Sequence, residues 1–254
     1  MSKRLTPTIL RFDSLPSTNT EAARQAALGV PEGLCIMARE QTAGRGRRER
    51  SWVSPKDAGL YLSVVLRPTL EARLWPLITL AAALAVRDAL REACGLEADI
   101  KWPNDLLAGG RKLCGILAET VEGARARAVV LGVGVNLKRG SFPPELNDTA
   151  TCVEEQTGHA PDAERLLEAL THSLSTRYET LHADGGAEEI LRDWQQHSTY
   201  AHGCRVRVAL AEEIFEGTTR GLGPDGALRV ETEEGTIRTV TAGDVTAVRE
   251  VRRA

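Results

Sequence analysis

Apolar and polar positions follow two different rhythms along this chain, and the change falls near residue 200. Residues 5–12, 34–38 and 60–66 are apolar runs of strand length. Thr18 followed three residues later by Glu21 is a capping-box pattern that opens a helix over 22–28, and Gly29 is its stop. Trp75-Pro76 opens a helix that runs to Ala93, with proline in the first turn and Gly95 past the end. Residues 115–121 and 128–133 read as two strands joined by a turn at 122–125. Asp162 caps a long amphipathic helix through Leu181, and a shorter helix covers 187–195 after the glycines at 185 and 186. Strands that pair as hairpins, interspersed with helices, predict an α+β fold: a mixed sheet with flanking helices. After Gly203 the rhythm changes to strict alternation from Cys204 to Leu210, which puts Val206, Val208 and Leu210 on one face. Five or so short, glycine-punctuated strands follow from this pattern and predict a small β-barrel. The expected organisation is a larger domain over 1–200 and a small one over 203–254.

Composition narrows the possibilities without choosing among them. A chain of 254 residues can bury a sizeable core, and 42% hydrophobic with 26% charged residues is ordinary for a globular protein. A net charge of −3 supplies no global basic field, so attraction to nucleic acid or an anionic membrane is not expected, and phosphate must be recognised by a local cluster. Cys35, Cys94, Cys114, Cys152 and Cys204 are scattered without a CxxC pair, and the histidines form no HxH or HExxH pattern. Both facts argue against a disulfide framework or a protein-ligated transition metal and fit a reducing compartment. The first residues have no apolar core of signal-peptide length, and the apolar run at 77–90 carries Arg87 and Asp88, as a buried helix does. A cytoplasmic protein that does not engage a membrane is expected.

Three stretches carry chemistry. In Gly44-Arg-Gly-Arg-Arg-Glu-Arg50, glycines let backbone N–H groups turn toward an anion and arginines fork around phosphate or carboxylate oxygens. Four arginines so close repel one another, so the loop is expected to be mobile until an anion arrives. By itself the cluster suits a solvated basic turn first, a small-molecule phosphate next and a nucleic-acid backbone least, and it decides nothing alone. Lys101-Trp-Pro-Asn-Asp105 and Arg111-Lys-Leu-Cys-Gly-Ile-Leu-Ala-Glu119 form the arms of a hairpin with its tip at residues 108–111. They bring two lysines and a carboxylate together, and Lys112, which leads into an apolar strand, can stabilise charge that shifts during acyl transfer. Gly132-Val-Gly-Val-Asn136 leaves one strand face bare, for a flat ligand, a bulge or a close strand crossing. Ser17-Thr-Asn19 crowds short donors and acceptors at a helix start, as a cap does and as a polar heterocycle needs.

Taken in order, these pieces resemble the biotin protein ligase family. The residues that carry the resemblance are Ser17-Thr-Asn19, Gln41-Thr-Ala-Gly-Arg-Gly-Arg-Arg48 with Trp52, Gly59-Leu-Tyr-Leu-Ser63, Lys101-Trp-Pro-Asn-Asp105, Arg111-Lys-Leu-Cys-Gly-Ile-Leu117 and Gly132-Val-Gly-Val-Asn136. The resemblance implies a catalytic domain related to class II aminoacyl-tRNA synthetases, followed by an SH3-like C-terminal domain. It implies that ATP activates biotin as biotinyl-5′-AMP, and that the biotin then passes to a lysine of a biotin carboxyl carrier domain of a carboxylase. Biotin would lie against Ser17, Thr18, Asn19, Gln41, Gly44, Arg45, Gly46, Arg47, Lys112 and Gly115. ATP would meet Arg45, Arg47, Arg48, Trp52, Lys101, Asn104, Asp105 and Asn136, with Lys112 and Arg45 as catalytic groups and Asp105 or Asn104 helping to hold Mg²⁺. Only sixteen residues precede Ser17, too few for the winged helix-turn-helix of bifunctional members, so no direct DNA binding is expected. A homodimer is possible within the family. The nearest alternative is a lipoate ligase with the same adenylation logic, against which Trp52 and the Gly-Arg-Gly-Arg-Arg loop favour biotin. A nucleic-acid-binding protein using the arginine loop is the alternative of a different class.

Overall fold

The computed structural model of the chain describes residues 5–123 and 127–247. Seven strands build the larger sheet: β1 (Thr8–Phe12), β2 (Leu34–Ala38), β3 (Gly59–Leu66), β4 (Asp99–Lys101), β5 (Asp105–Ala108), β6 (Arg111–Val121) and β7 (Ala128–Asn136). Their order is β1-β2-β3-β7-β6-β5-β4, with β1 and β2 parallel and every other pair antiparallel. The mixed sheet expected from the hairpin-like pattern is therefore present. Strand β1 begins at Thr8 rather than Leu5, because Pro7 has no N–H to give to a ladder. Leu5 is nonetheless buried, and its carbonyl accepts from Ser175 Oγ at 2.9 Å. The turn read at 122–125 lies partly outside the described residues.

Helices cover both faces. Helix α1 (Thr18–Ala27) lays Ala22 and Ala26 on Ile36, Val65 and Val130. Its cap differs from the expected box: Ser17 is the N-cap and accepts from Thr20 N, while Glu21 pairs with Arg24. Thr18 is instead the first helical residue, and its hydroxyl is engaged by Gln41 and Ser63. On the other face pack α2 (Pro76–Cys94), α4 (Ala163–His182) and α5 (Gly186–Gln196), after a short α3 (Val153–Thr157). Helix α2 buries Leu77, Leu80, Leu84 and Leu90 and ends at Gly95 with φ 64, a left-handed stop that suits glycine. Asp162 caps α4 by accepting from Glu164 N and Arg165 N, as expected.

A second sheet follows α5: β8 (His202–Ala209), β9 (Ile214–Leu222), β10 (Leu228–Glu231), β11 (Ile237–Val240) and β12 (Asp244–Ala247), all antiparallel in the order β11-β10-β9-β8-β12. Val206 and Val208 are buried as the alternation required, whereas Leu210 falls one residue past the strand and is only half-buried. The apolar face of this sheet joins the core of the larger unit. Trp102 Nε1 donates to Gly226 O at 3.0 Å, tying the hairpin at 101–105 to the β9–β10 turn. Trp102→Phe would leave that buried carbonyl without a partner and should cost about 1–3 kcal/mol. Equilibrium urea unfolding measures it, and an unchanged midpoint would show the bond to be idle.

Candidate functional site

The segment 41–54 folds back on itself over the sheet. Gln41 bridges to Ser54 and Arg45 to Ser51, Gly46 N donates to Arg50 O at 2.7 Å, and Trp52 N donates to Gly44 O at 2.9 Å. A Cβ on Gly44 would collide with Trp52 O, so this glycine serves the fold-back and does not line the cavity beneath. Arg48 and Glu49 take φ values of 53 and 60, left-handed positions that cost a non-glycine residue about 1–2 kcal/mol each.

Ion pairs offset that cost. Arg45 forks onto Glu119 at 2.6 and 3.1 Å, Arg47 donates to Asn104 Oδ1 at 3.0 Å, and Arg48 and Arg50 both pair with Asp244. In the loop expected to be mobile until an anion arrives, each arginine has an acceptor on another element. The Arg45–Glu119 pair is half exposed, and such pairs contribute about 0–1 kcal/mol. A phosphate in a less hydrated position offers each guanidinium about 1.5–3 kcal/mol, enough to draw it away.

Under the loop a polar chain runs across the sheet. Gln41 Nε2 donates to Ser54 Oγ at 2.8 Å, and its Oε1 accepts from Thr18 N and Thr18 Oγ1 at 2.8 and 3.1 Å. Ser63 Oγ lies 2.8 Å from Thr18 Oγ1 and 2.6 Å from Asn19 Oδ1, and Asn19 Nδ2 donates to Glu119 Oε2 at 2.9 Å. Ser17, Thr18 and Asn19 are buried, so these bonds orient their polar atoms within the protein. The bare strand face at Gly132 and Gly134 is neither a bulge nor empty, since the β6–β7 register runs unbroken. Side chains of the protein itself lie against it: a Cβ on Gly132 would fall on Asn19 Oδ1, and one on Gly134 would lie 2.5 Å from Trp52 Nε1. That indole nitrogen is buried and has no acceptor among the described residues.

Lys112 stands at the start of β6 with Nζ 2.6 Å from Asp105 Oδ1, an ion pair by distance whose angle does not make a hydrogen bond. It also lies 5.4 Å from the centroid of the Trp52 ring. Two cavities meet at this point and share Arg50, Ser51, Trp52, Asp105 and Lys112 as a common wall. The first collects Ser17, Thr18, Asn19, Gln41, Arg45, Gly46, Arg47, Asn104 and Gly115, beside Gly132 and Gly134. The second holds Lys101 and Asn136, with Tyr200 and Thr246 from the C-terminal part of the chain. Arg48 reaches neither cavity. Asn136 Nδ2 is committed to Thr151 O at 3.0 Å, and Asn104 Nδ2 to Ile116 O at 2.7 Å. Burial holds the Lys101 ammonium below the ordinary lysine value, helped by Lys112 and opposed by Asp105. Burial likewise lowers Arg47, against the attraction of Asp244 and Asp105.

Five participants carried no assignment in the sequence. Glu119, Ser54 and Arg50 sit inside or next to quoted motifs, yet only the folded chain shows what they touch. Asp244 comes from the second sheet and lines the first cavity; nothing in its local sequence marks it. Ser63 lay within a matching segment, and its hydroxyl joins the Thr18 and Asn19 groups.

A polar pocket joined through a lysine and a cationic flap to a second chamber is the arrangement an acid-activating ligase needs. Residues 11–136 match the biotin/lipoate A/B protein ligase family, and residues 201–246 match the biotin protein ligase C-terminal domain. The chain is 35% identical over 240 residues to the bifunctional ligase/repressor BirA of Bacillus subtilis, covering 93% of this chain and 73% of that protein. It is 35% identical over 239 residues to the biotin–[acetyl-CoA-carboxylase] ligase of Mycobacterium tuberculosis, covering 92% of this chain and 86% of that one. The solved biotin protein ligase from Aquifex aeolicus in complex with biotin and ATP superposes with a TM-score of 0.83 at 27% identity, covering 96% of this chain and 100% of the other. The chain belongs to the biotin protein ligase family.

The depressed Lys101 gives a prediction with a definite sign. Its charged form is disfavoured in the folded state, so at neutral pH the group costs stability. The cost is present in full below the folded pKa and fades as pH rises toward the unfolded value of about 10.4. Lys101→Met should therefore melt no lower than the parent at pH 7, and the parent should gain on the variant at alkaline pH. A variant markedly less stable at pH 7 would show that Asp105 outweighs burial.

Proposed function

We propose that this chain activates biotin with ATP as biotinyl-5′-AMP and transfers it to a lysine of a biotin carboxyl carrier domain of a carboxylase. The observation that carries the reading is convergence: Arg45, Arg47 and Lys112 border the same cavity as Ser17, Thr18, Asn19 and Gln41. In this reading the ring system of biotin takes the polar end of that cavity, where Gln41, Thr18 and Asn19 already hold one another in place. Its carboxylate then faces Lys112, and ATP occupies the adjoining chamber beside Lys101 and Asn136. Trp52 stands between the two, with an indole N–H to offer. The cytoplasm, where ATP and the carrier are made, is the compartment this assigns. The described helices include none long and apolar enough to cross a membrane.

Attack of the carboxylate on the α-phosphorus joins two anions. The C–O–P bond forms as the bond to pyrophosphate breaks, and Lys112 with the loop arginines offsets the repulsion. Mg²⁺ bound with ATP would neutralise the β- and γ-phosphate oxygens. No group of three or more potential metal ligands exists among the described residues. One carboxylate, Asp105, nevertheless suits an ion that takes most of its ligands from phosphate and water, whereas the Asn104 side-chain oxygen is taken by Arg47 at 3.0 Å. The mixed anhydride is hydrolytically labile, and the segment 44–50 covers it. In the second step the acceptor amine attacks the acyl carbon. The amide bond forms, AMP leaves with the electron pair of the broken C–O bond, and the former ammonium loses two protons.

Lys112→Ala should lower biotin-dependent pyrophosphate release by about 100-fold or more, the range typical for removing a group that stabilises transition-state charge. Arg45→Ala should still make adenylate but release it into solution, detectable by chromatography of the reaction mixture. The reading falls if both variants make and retain the adenylate as the parent does.

A further inference from the structure

Behind Arg47 a second cleft backs onto the acid cavity. Pro76, Thr79 and Leu80 of α2 form one wall, Trp102 and Pro103 another, and the turn at 225–227 with Thr241 a third. Arg47, Asn104 and Ile116 border both spaces, so this cleft and the site are separated only by side chains. Its inner walls, Leu80, Trp102 and Ala227, are buried and apolar, while Pro76 and Thr241 are exposed at the mouth. Asp225 also lines the cleft; it accepts from Ala227 N at 3.1 Å, and no described cation pairs with it.

An apolar sleeve with the Asp225 carboxylate on its wall and the Asn104 side chain at its inner end suits a long aliphatic chain that ends in a cation. The inner end already holds such a cation. The Arg47 guanidinium donates to Asn104 Oδ1 at 3.0 Å and to Gly243 O at 3.5 Å. An Arg47 turned toward the adenylate phosphate would release both oxygens and thin the partition to Asn104 and Ile116. We propose that this cleft admits the side chain of the acceptor lysine from the carrier protein, with Asp225 drawing in its ammonium and Asn104 Oδ1 and Gly243 O receiving it beside the acyl carbon. The proposal rests on the ligase reading and adds to it the path of the second substrate. It also orders the steps, because the path is blocked until Arg47 has an adenylate to hold.

Two variants test it. Thr79→Trp fills the cleft, and Asp225→Asn removes the charge while keeping an acceptor for Ala227 N. Pyrophosphate release is measured without carrier, and biotin transfer is measured with a biotin carboxyl carrier domain. Carrier-free pyrophosphate release should stay within about twofold of the parent, whereas kcat/KM for the carrier should fall about tenfold or more in Thr79→Trp, equivalent to about 1.4 kcal/mol. Asp225→Asn should show a smaller loss that shrinks as salt is raised, as screening requires. Unchanged kcat/KM for the carrier in both variants would overturn the proposal. So would a loss of pyrophosphate release in either, which would put a substrate of the first step in the cleft. Failure of the unaltered chain in the carrier-free assay would sink the ligase reading itself, and that assay separates the two failures.

Discussion

An excess of positive charge, held in place by too few carboxylates, is the constraint around which the site is organised. Arg45, Arg47, Arg48, Arg50, Lys101 and Lys112 face Glu119, Asp244 and Asp105. Each carboxylate satisfies a cation while the cavity lacks an anion, and none satisfies all of them. Where the cations are also half-buried, as Lys101 and Arg47 are, the protein bears a desolvation cost that a polyanionic ligand offsets. The same arrangement that destabilises the free chain is therefore what gives the ligand its affinity.

The loop that carries four of these cations closes by exchangeable contacts. Its partners come from β6, from the hairpin at 101–105 and from the second sheet, the last of these nearly two hundred positions away along the chain. Half-exposed ion pairs of this kind are weak enough to be traded for phosphate contacts, yet numerous enough to hold two left-handed residues in place. Beneath the loop, hydrogen bonds run from Ser54 through Gln41, Thr18, Ser63 and Asn19 to Glu119, so the acid pocket and the arginine loop are joined by a single network. A change at Glu119 would disturb both ends of it at once.

Much of the architecture was legible in the chain. The short apolar runs at 34–38 and 60–66 became β2 and β3, the proline and glycine around α2 marked its ends, and Asp162 capped α4. These signals are local: they depend on backbone angles and periodicity that a few neighbouring residues impose. The expected Thr18–Glu21 capping box did not form, because tertiary contacts with Gln41 and Ser63 claim the Thr18 hydroxyl. Propensity suggested a cap, and burial beside two partners decided otherwise. The glycines at 132 and 134 were open to three explanations; the register of β6 on β7 and the positions of Asn19 and Trp52 chose among them.

The sequence by itself marked the long elements, the arginine loop, and the closeness of Lys101, Asp105 and Lys112, because turn chemistry and strand period act over a few residues; the expected single hairpin is a three-strand meander, β4-β5-β6, with Lys101 on its first strand. Only the tertiary structure decided that Asp244, more than one hundred and thirty positions beyond Asp105, would complete the wall of the cavity, and that Arg47 would stand between two spaces. Ion pairs and shared cavity walls join residues through space, and no spacing along the chain encodes which carboxylate a guanidinium will find.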